Sequence, residues 1–267
     1  MIGIFDSGFG GLTIFKDIEN RLPNYDYIYL GDNARAPYGQ LSQQIIYNYT
    51  KQAVDWLFGQ GCQLIILACN TTSAEALRQI QQEHLPSRWP GRNVLGVIRP
   101  LAEAAILTGS KKVAVIGTES TIESGSYNRE LKHQNPNIEI IQQACPLLVR
   151  LIEAGQEKEE SSREILGCYL EPIKKANPDV LILGCTHYGW LADDIVEFLG
   201  PRVKILDSGQ IIAAKLADYL DRHPEFKQLF IDPGRRVFLT TDNSVKFDQA
   251  ATRWLGRQIS SKTIKLG

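Results

Sequence analysis

Short runs of apolar residues alternate along this chain with longer segments in which apolar positions recur at helical spacing. An apolar run of about four to eight residues between turn residues is typical of a buried parallel strand, and the longer periodic segments are typical of amphipathic helices. The predicted strands span residues 2–6, 26–30, 62–68, 94–98, 112–117, 137–141, 179–184, 203–207 and 236–240. The predicted helices lie near residues 11–21, 41–59, 72–84, 100–107, 122–134, 146–154, 158–176, 190–199, 209–221 and 244–256.

This alternation predicts an α/β fold with mostly parallel sheets covered by helices. The pattern also contains a long-period repeat. The strands at 2–6 and 112–117 both end in small and hydroxyl residues, and a strand followed by cysteine comes later in each half. We therefore predict two similar α/β lobes that face each other across a cleft. The first lobe comprises residues 1–97 and 208–267, and the second comprises residues 98–207.

Two segments in different halves of the chain have nearly the same sequence. Residues 64–71 read LIILACNT, and residues 180–187 read VLILGCTH. In each segment the cysteine, Cys69 or Cys185, follows a predicted parallel strand, which is where open α/β sheets bind their ligands. A cysteine at the start of a helix is expected to have a lowered thiol pKa, which favours the thiolate. Two equivalent thiols, one in each half, indicate a single site with a cysteine on either side.

Four interpretations of the two cysteines stay open at the level of residue types. A disulfide-exchange centre normally has two cysteines close in sequence, and these are far apart. A zinc site would use Cys69, Cys185 and His187, but one histidine with two thiols is thin support for a metal. Two packing cysteines at matched positions would also give the pattern. A pair of acid–base thiols accounts for the duplication best, because one takes a proton while the other supplies one from the opposite side.

Polar residues also follow other strands. The turn at residues 6–11 reads DSGFGG, so its backbone N–H groups at a helix start suit a carboxylate or phosphate. It matches neither the dinucleotide-binding glycine spacing, since Thr13 replaces the third glycine, nor the P-loop, which needs a lysine. Asp6 and Ser7 therefore either cap the helix or line a pocket for a small anion. The PYG turn at residues 37–39 is either an ordinary turn or part of the same pocket.

Acidic and basic side chains near the cysteines suggest proton partners. His187 lies two residues after Cys185 and is predicted either to relay a proton or to be a structural histidine. Asp6 would play the matching part near Cys69. Glu153 either supports His187 or is a solvated charge at a helix end.

Composition excludes several classes of protein. The net charge of −1 gives no general attraction to nucleic acid or anionic lipid, so we expect neither as a partner. No apolar stretch approaches the roughly 20 residues that span a bilayer. The N-terminal residues run directly into a strand pattern without a signal peptide, so a cytoplasmic location is expected. The five cysteines are expected to be reduced, with Cys62, Cys145 and Cys168 as small buried side chains.

Together these motifs resemble the cofactor-independent glutamate racemases of bacterial cell-wall synthesis. The resemblance covers nearly the whole chain and rests on five motifs in order: DSGFGG at 6–11, GD at 31–32 with PYG at 37–39, ACNT at 68–71, GT at 117–118 with Thr121, and GCTHY at 184–188. It implies two α/β lobes, no PLP, no metal, and interconversion of L- and D-glutamate for peptidoglycan. Glutamate is then the small-molecule partner. Homodimers are common in the family, so the resemblance also implies a homodimer.

The resemblance assigns roles to particular residues. Cys69 and Cys185 would be the two catalytic bases, with Asp6 and His187 assisting them and Glu153 in support. The residues that would bind the substrate are Asp6, Ser7, Pro37, Tyr38, Gly39, Cys69, Asn70, Thr71, Thr118, Thr121, Cys185, Thr186 and His187.

The chain departs from the family pattern at three positions, and two other functions stay open. Thr72 stands where the family often has alanine, and Gly189 and Arg150 stand where proline is common. An aspartate or other amino-acid racemase of the same superfamily is the first alternative, although His187 stands where the aspartate enzymes tend to carry a carboxylate. The second alternative is a regulatory or binding protein on this scaffold, such as a gyrase inhibitor.

Overall fold

A computed structural model describes residues 1–229 and 234–267 of the chain. The described strands are β1 Ile2–Asp6, β2 Tyr27–Gly31, β3 Leu64–Leu67, β4 Asn93–Gly96, β5 Lys112–Gly117, β6 Glu139–Ala144, β7 Val180–Gly184, β8 Lys204–Leu206, β9 Arg236–Thr240 and β10 Ser261–Thr263. The described α-helices are α1 Gly11–Arg21, α2 Gln43–Gly59, α3 Asn70–Glu75, α4 Leu77–Gln79, α5 Leu85–Arg88, α6 Ile98–Leu107, α7 Glu119–Glu123, α8 Ser126–Gln134, α9 Leu148–Glu153, α10 Glu160–Ala176, α11 Ala192–Leu199, α12 Ser208–Arg222, α13 Pro224–Leu229 and α14 Ser244–Leu255. Short 3₁₀ turns occupy Asn33–Arg35, Tyr38–Gln40 and Tyr188–Leu191, and a π-helical turn occupies Ile80–His84.

The strands form two sheets in which every neighbouring pair is parallel. The first sheet has the order β10-β9-β2-β1-β3-β4, and the second has the order β6-β5-β7-β8. Strands β1, β2, β3 and β7 are buried along their whole length, as expected when helices cover both faces of a parallel sheet. The predicted α/β class with two parallel sheets is confirmed.

The second sheet repeats the central part of the first. Its order β6-β5-β7-β8 matches β2-β1-β3-β4 strand for strand, and β9 and β10 extend only the first sheet. Asp6, at the end of β1, therefore corresponds in position to Gly117, at the end of β5. Cys69 comes just after β3, and Cys185 directly follows β7, so the two cysteines occupy equivalent places. The lobe boundaries at 97–98 and 207–208 stay a prediction.

Helices α1 and α12 pack against each other within the largest apolar cluster of the described residues. The buried side of α1 includes Phe15 and Ile18, and the buried side of α12 includes Ile212 and Leu216. Each such side chain contributes roughly 1.5–3 kcal/mol when it is removed from water. The cluster also contains apolar residues of β5 and β7, so α1 and α12 share one core with strands of both sheets.

Some helix and strand boundaries differ from the prediction. The helix predicted near 122–134 is divided into α7 and α8, because Gly125 has a φ of +66° that ends a right-handed helix. The helix predicted near 72–84 is a series of shorter pieces from Asn70 to Arg88. The strand predicted at 94–98 ends at Gly96, and Ile98 already belongs to α6.

Three other features were not predicted correctly. Strand β10 has the sequence SKT, which carries no apolar run, and it forms by pairing with β9 at the sheet edge. Helix α13 was also not predicted. Cys62 and Cys145 are buried, but Cys168 is exposed on α10, so its predicted burial is wrong. All five cysteines are free thiols.

Candidate active site

The carboxyl ends of strands from both sheets open into one cavity. Because parallel strands end at the same edge of a sheet, the loops that follow them bring distant residues together. Eleven residues of the predicted site line this cavity: Ser7, Pro37, Tyr38, Gly39, Cys69, Asn70, Thr71, Thr118, Cys185, Thr186 and His187. The other three, Asp6, Thr121 and Glu153, do not line the cavity, but Thr121 and Glu153 hydrogen-bond to residues that do.

Cys69 precedes α3 and is almost completely buried. Its Sγ lies 3.3 Å from Oγ of Ser7, which gives the thiol a hydrogen-bonding partner. Burial, followed by the negative charge of Asp6, raises the pKa of Cys69 to about 11, although the bond to Ser7 acts in the opposite direction. The expectation of a lowered thiol pKa is therefore wrong for Cys69. The effect of the helix start is smaller than the cost of burying a thiolate beside a carboxylate.

The carboxyl group of Asp6 is buried behind the wall of the cavity. Its Oδ2 accepts a hydrogen bond of 2.9 Å from the backbone N–H of Gly8, while Oδ1 has no partner among the described residues. Burial raises the pKa of Asp6, and the charge of His187 partly opposes this change. Asp6 is thus a carboxyl group with an unused oxygen and a raised affinity for a proton.

Cys185 and Glu153 lie on either side of the His187 imidazole. Its Nδ1 is 3.7 Å from Sγ of Cys185, and its Nε2 is 2.9 Å from Oε1 of Glu153. Burial alone would lower the pKa of His187, but the hydrogen bonds and charges of Cys185 and Glu153 raise it to about 10. His187 therefore holds a proton at neutral pH and can stabilise negative charge on Cys185.

Three threonines connect the loops that follow β3 and β5. Thr71 Oγ1 lies 3.0 Å from Thr118 Oγ1 and 3.3 Å from Thr121 Oγ1, and Thr118 and Thr121 are 2.9 Å apart. Thr118 also caps α7, because its Oγ1 accepts a hydrogen bond from the backbone N–H of Thr121. These hydroxyls form a neutral hydrogen-bonding surface that joins the two sheets without adding a competing base.

The side chain of Asn70 is held in place by Tyr127. The Tyr127 hydroxyl donates a 2.6 Å hydrogen bond to Oδ1 of Asn70, which leaves Nδ2 of Asn70 without a partner among the described residues. Asn70 lines the cavity, so this unpartnered and buried donor lies in the cavity wall. On the other wall, the Tyr38 hydroxyl donates to the buried Asp32 carboxylate, which fixes the PYG turn.

Gly10 allows the two sheets' loops to approach each other closely. A Cβ atom at this position would lie 2.0 Å from Oγ1 of Thr186 and 2.6 Å from Nδ1 of His187, both far inside van der Waals contact. The glycine-rich turn therefore packs its backbone directly against the loop that carries Cys185. This close contact is a structural reason for glycine at a position that the sequence alone associated with anion binding.

Six residues of the site were not among those predicted from the sequence. Five of them line the cavity: Gln40, Glu119, Pro146, Val149 and Arg150. The sixth is Tyr127, which contacts Asn70. Two of them could have been noticed in the sequence. Arg150 departs from the family pattern, and Glu119 directly follows the GT motif. No motif marks Tyr127, which comes from α8 and depends on the tertiary fold.

The arrangement defines a class of site. One thiol from each sheet reaches a shared cavity, each has its own hydrogen-bonding partner, and neutral donors surround them. Such a site suits proton transfer at a bound small molecule. Within residues 1–229 and 234–267, no three His, Cys, Asp or Glu side chains are grouped so that they could hold a metal ion. In the same part of the chain, no helix has the length and apolar character needed to cross a membrane.

Comparison with known proteins identifies the family. The family model described as Asp/Glu/Hydantoin racemase matches residues 8–216. A glutamate racemase from Geobacter metallireducens is 40% identical over 260 residues, which cover 97% of this chain and 93% of that protein. The chain belongs to the Asp/Glu/hydantoin racemase family and is an isomerase.

Solved structures agree with this assignment. The glutamate racemase isoform RacE1 from Bacillus anthracis has a TM-score of 0.91 at 34% identity, with 100% of this chain and 97% of that chain covered. The glutamate racemase from Francisella tularensis in complex with D-glutamate has a TM-score of 0.89 at 32% identity, with 99% and 97% covered. The predicted resemblance to glutamate racemases is confirmed.

Proposed function

We propose that this protein interconverts L- and D-glutamate, with Cys69 and Cys185 as the two acid–base groups. The observation that carries the proposal is the pair of thiols in one cavity, one beside Ser7 and the other beside His187. The relatives named glutamate racemase, similar to this chain along nearly its whole length, support glutamate as the substrate.

The chemistry needs two groups because the proton must leave one face of the α-carbon and return to the other. A thiolate takes the α-proton and becomes a thiol, and the electron pair of the broken C–H bond stays on the substrate. The second thiol then donates its proton to the opposite face of the carbanion and becomes a thiolate. The site ends with the two protonation states exchanged, so the reverse reaction can start from the opposite enantiomer.

The surrounding charges suggest which thiol holds the proton before substrate enters. With a pKa of about 11, Cys69 is a thiol at neutral pH and can act as the acid. Protonated His187 lies where it can stabilise a thiolate on Cys185, which can act as the base. Asp6, with its raised pKa and unpartnered oxygen, would take the proton of Cys69 when the reaction runs in the other direction.

Neutral donors would hold the substrate during this transfer. Asn70, Thr71, Thr118, Thr186 and Ser7 all line the cavity. Preorganised donors of this kind stabilise the negative charge that develops on the substrate as the α-proton leaves. Tyr38, Gly39 and Pro37 form the wall beside them.

We infer a cytoplasmic homodimer whose D-glutamate is used in peptidoglycan assembly, on the strength of the family resemblance. Restoration of growth to a bacterium that requires D-glutamate would support the role in the cell wall. Light scattering on the purified protein would measure the oligomeric state, and a monomer at working concentration would contradict the dimer.

Circular dichroism with D-glutamate, in the presence of EDTA and without PLP, tests the reaction. We expect the signal to decay to zero, and D-aspartate assayed in parallel to decay much more slowly. Cys69→Ser and Cys185→Ser should each lower the rate by at least about 100-fold, the scale of acid–base catalysis. Cys168→Ser is the matched control, since Cys168 is exposed on α10. Near-normal turnover in either active-site variant would contradict the two-thiol mechanism.

A further inference from the structure

Arg150 carries an exposed positive charge at the edge of the active-site cavity. Among the described residues that line this cavity, it is the sole arginine or lysine. The donors deeper in the cavity, such as Asn70 and the threonines, are neutral. A dicarboxylic amino acid has one more carboxylate than ammonium group, so its net charge is negative at neutral pH. Arg150 is thus the exposed cation that such a substrate meets first, because protonated His187 is buried and paired with Glu153.

The charge of Arg150 is not neutralised by a carboxylate within the described part of the chain. Arg35, Arg163 and Arg253 each form an ion pair with an acidic side chain. Arg150 instead donates from Nη2 to the neutral amide oxygen Oε1 of Gln40, at 3.0 Å. A guanidinium group has five N–H donors, so this bond leaves most of them available to an anion.

Arg150 lies on the same helix as Glu153, the partner of His187. It lies on α9, three residues before Glu153, so the two side chains are on neighbouring positions of one helix face. Glu153 reaches His187, while Arg150 reaches Gln40, the residue after the PYG turn. The bond from Arg150 to Gln40 therefore crosses the edge of the cavity, from the helix after β6 to the turn after β2.

We propose that Arg150 captures the anionic substrate at the cavity mouth and favours dicarboxylic over neutral amino acids. This inference rests on the proposed function. Attraction between a cationic side chain and an entering anion raises the association rate and weakens as salt screens the charge. The hydrogen bond to Gln40 positions the guanidinium group at the cavity mouth, where the anion enters.

Kinetics at low and physiological salt test the proposal. Arg150→Gln should lower kcat/KM for both enantiomers of glutamate by roughly fivefold at low ionic strength, the effect of one unit charge close to the substrate in water. The effect should fall on KM more than on kcat, and it should shrink as salt is added. Arg150→Lys should restore most of kcat/KM, and Gln40→Ala should keep the salt dependence because the charge remains.

A matched control separates a local effect from a change in net charge. Arg202→Gln removes the same charge from an exposed residue that precedes β8, at the sheet edge opposite the cavity. It should leave KM and the salt dependence as in the unmodified protein. An equal response in Arg202→Gln and Arg150→Gln would overturn the proposal.

Binding of glutarate, a dicarboxylate without an α-amino group, gives a readout that does not need turnover. Calorimetry should show weaker binding by Arg150→Gln at low salt, again by roughly fivefold. If the unmodified protein racemises glutamate but Arg150→Gln has unchanged KM and unchanged glutarate affinity, this inference is wrong and the proposed function stands. If Arg150→Gln lowers kcat alone, Arg150 acts on α9 and Glu153 rather than on substrate, which also overturns the inference. Absence of glutamate turnover in the unmodified protein would instead overturn the proposed function, and this inference with it.

Discussion

Nε2 of His187 lies 2.9 Å from Oε1 of Glu153, and this contact is one reason why the buried imidazole keeps its proton. Burial disfavours the charged form, so the raised pKa of about 10 depends on the negative partners of His187. Glu153 and Cys185 supply the hydrogen bonds and charges that raise it. The protonation state of His187 therefore depends on Cys185, which lines the cavity, and on Glu153, which does not.

Glu153→Gln is expected to lower the pKa of His187, because it removes one of those negative partners. If protonated His187 stabilises the thiolate of Cys185, activity at alkaline pH should be lost at a lower pH than in the unmodified protein. The pH profile of kcat/KM measures this change, and NMR titration of the histidine side chains follows His187 directly. Asp55→Asn is the matched control. Oδ1 of Asp55 lies 2.6 Å from Nε2 of His84, and neither residue lines the cavity. An unchanged alkaline limb in Glu153→Gln would contradict the role of Glu153.

The same shift in pKa predicts how stability depends on pH. The folded-state pKa of His187, about 10, is above the ordinary value of 6.5. The protonated form therefore contributes stability that is fully present below about pH 6.5 and is lost as pH rises through about 10. Cys69 adds a loss in the same direction at higher pH, because its pKa is raised from 9.0 to about 11.

Urea unfolding at a series of pH values measures this dependence. The free energy of unfolding should fall between pH 7 and 9 in the unmodified protein and fall less in Glu153→Gln. Equal slopes in the two proteins would show that the charge state of His187 does not contribute to folding.

Gly10→Ala is expected to lower both stability and activity, although Gly10 is not an acid–base residue. The added methyl would overlap Thr186 Oγ1 and His187 Nδ1, so the loop with Cys185 must move. Overpacking of this kind costs roughly 1–3 kcal/mol of stability. Thermal unfolding and kcat should both decrease. Gly59→Ala is the control, because a Cβ at Gly59, the last residue of α2, meets nothing within 4 Å. A Gly10→Ala protein with normal stability and activity would contradict the close contact.

The strands and site residues that were predicted correctly are those marked by a short stretch of sequence. β1 and β5 were placed at their observed bounds, since each is a short apolar run with turn residues behind it. The two cysteine motifs predicted a shared site because each follows such a strand. In contrast, β10 forms only through its pairing with β9, and its sequence carries no strand pattern.

The pKa of Cys69 could not be predicted from local sequence either. Its place before a helix predicted a lowered pKa, but the structure buries the thiol near Asp6, and both effects raise the pKa. Burial is a property of the assembled lobe, so no local motif reports it. Tyr127 was not predicted as a site residue, because its contact with Asn70 joins two segments that are distant in the sequence.

Tyr127→Phe tests whether that contact orients a substrate-binding donor. The change removes the hydroxyl that donates to Oδ1 of Asn70 at 2.6 Å and leaves the ring in place. Without this bond the Asn70 amide loses its fixed orientation, so Nδ2 is no longer held for the substrate. Loss of one hydrogen bond to a buried group costs roughly 1–3 kcal/mol, and we expect kcat/KM to fall by about tenfold.

Tyr219→Phe is the matched change outside the cavity, where the Tyr219 hydroxyl accepts a 2.8 Å hydrogen bond from Asn93. It should alter stability by a similar amount and leave kcat/KM unchanged. Steady-state kinetics together with thermal unfolding distinguish the two effects. If Tyr127→Phe loses stability but keeps kcat/KM, the hydroxyl serves the fold alone. A fall in kcat/KM in Tyr127→Phe that Tyr219→Phe does not share, at a similar loss of stability, would show that Tyr127 on α8 positions Asn70 on α3 for catalysis.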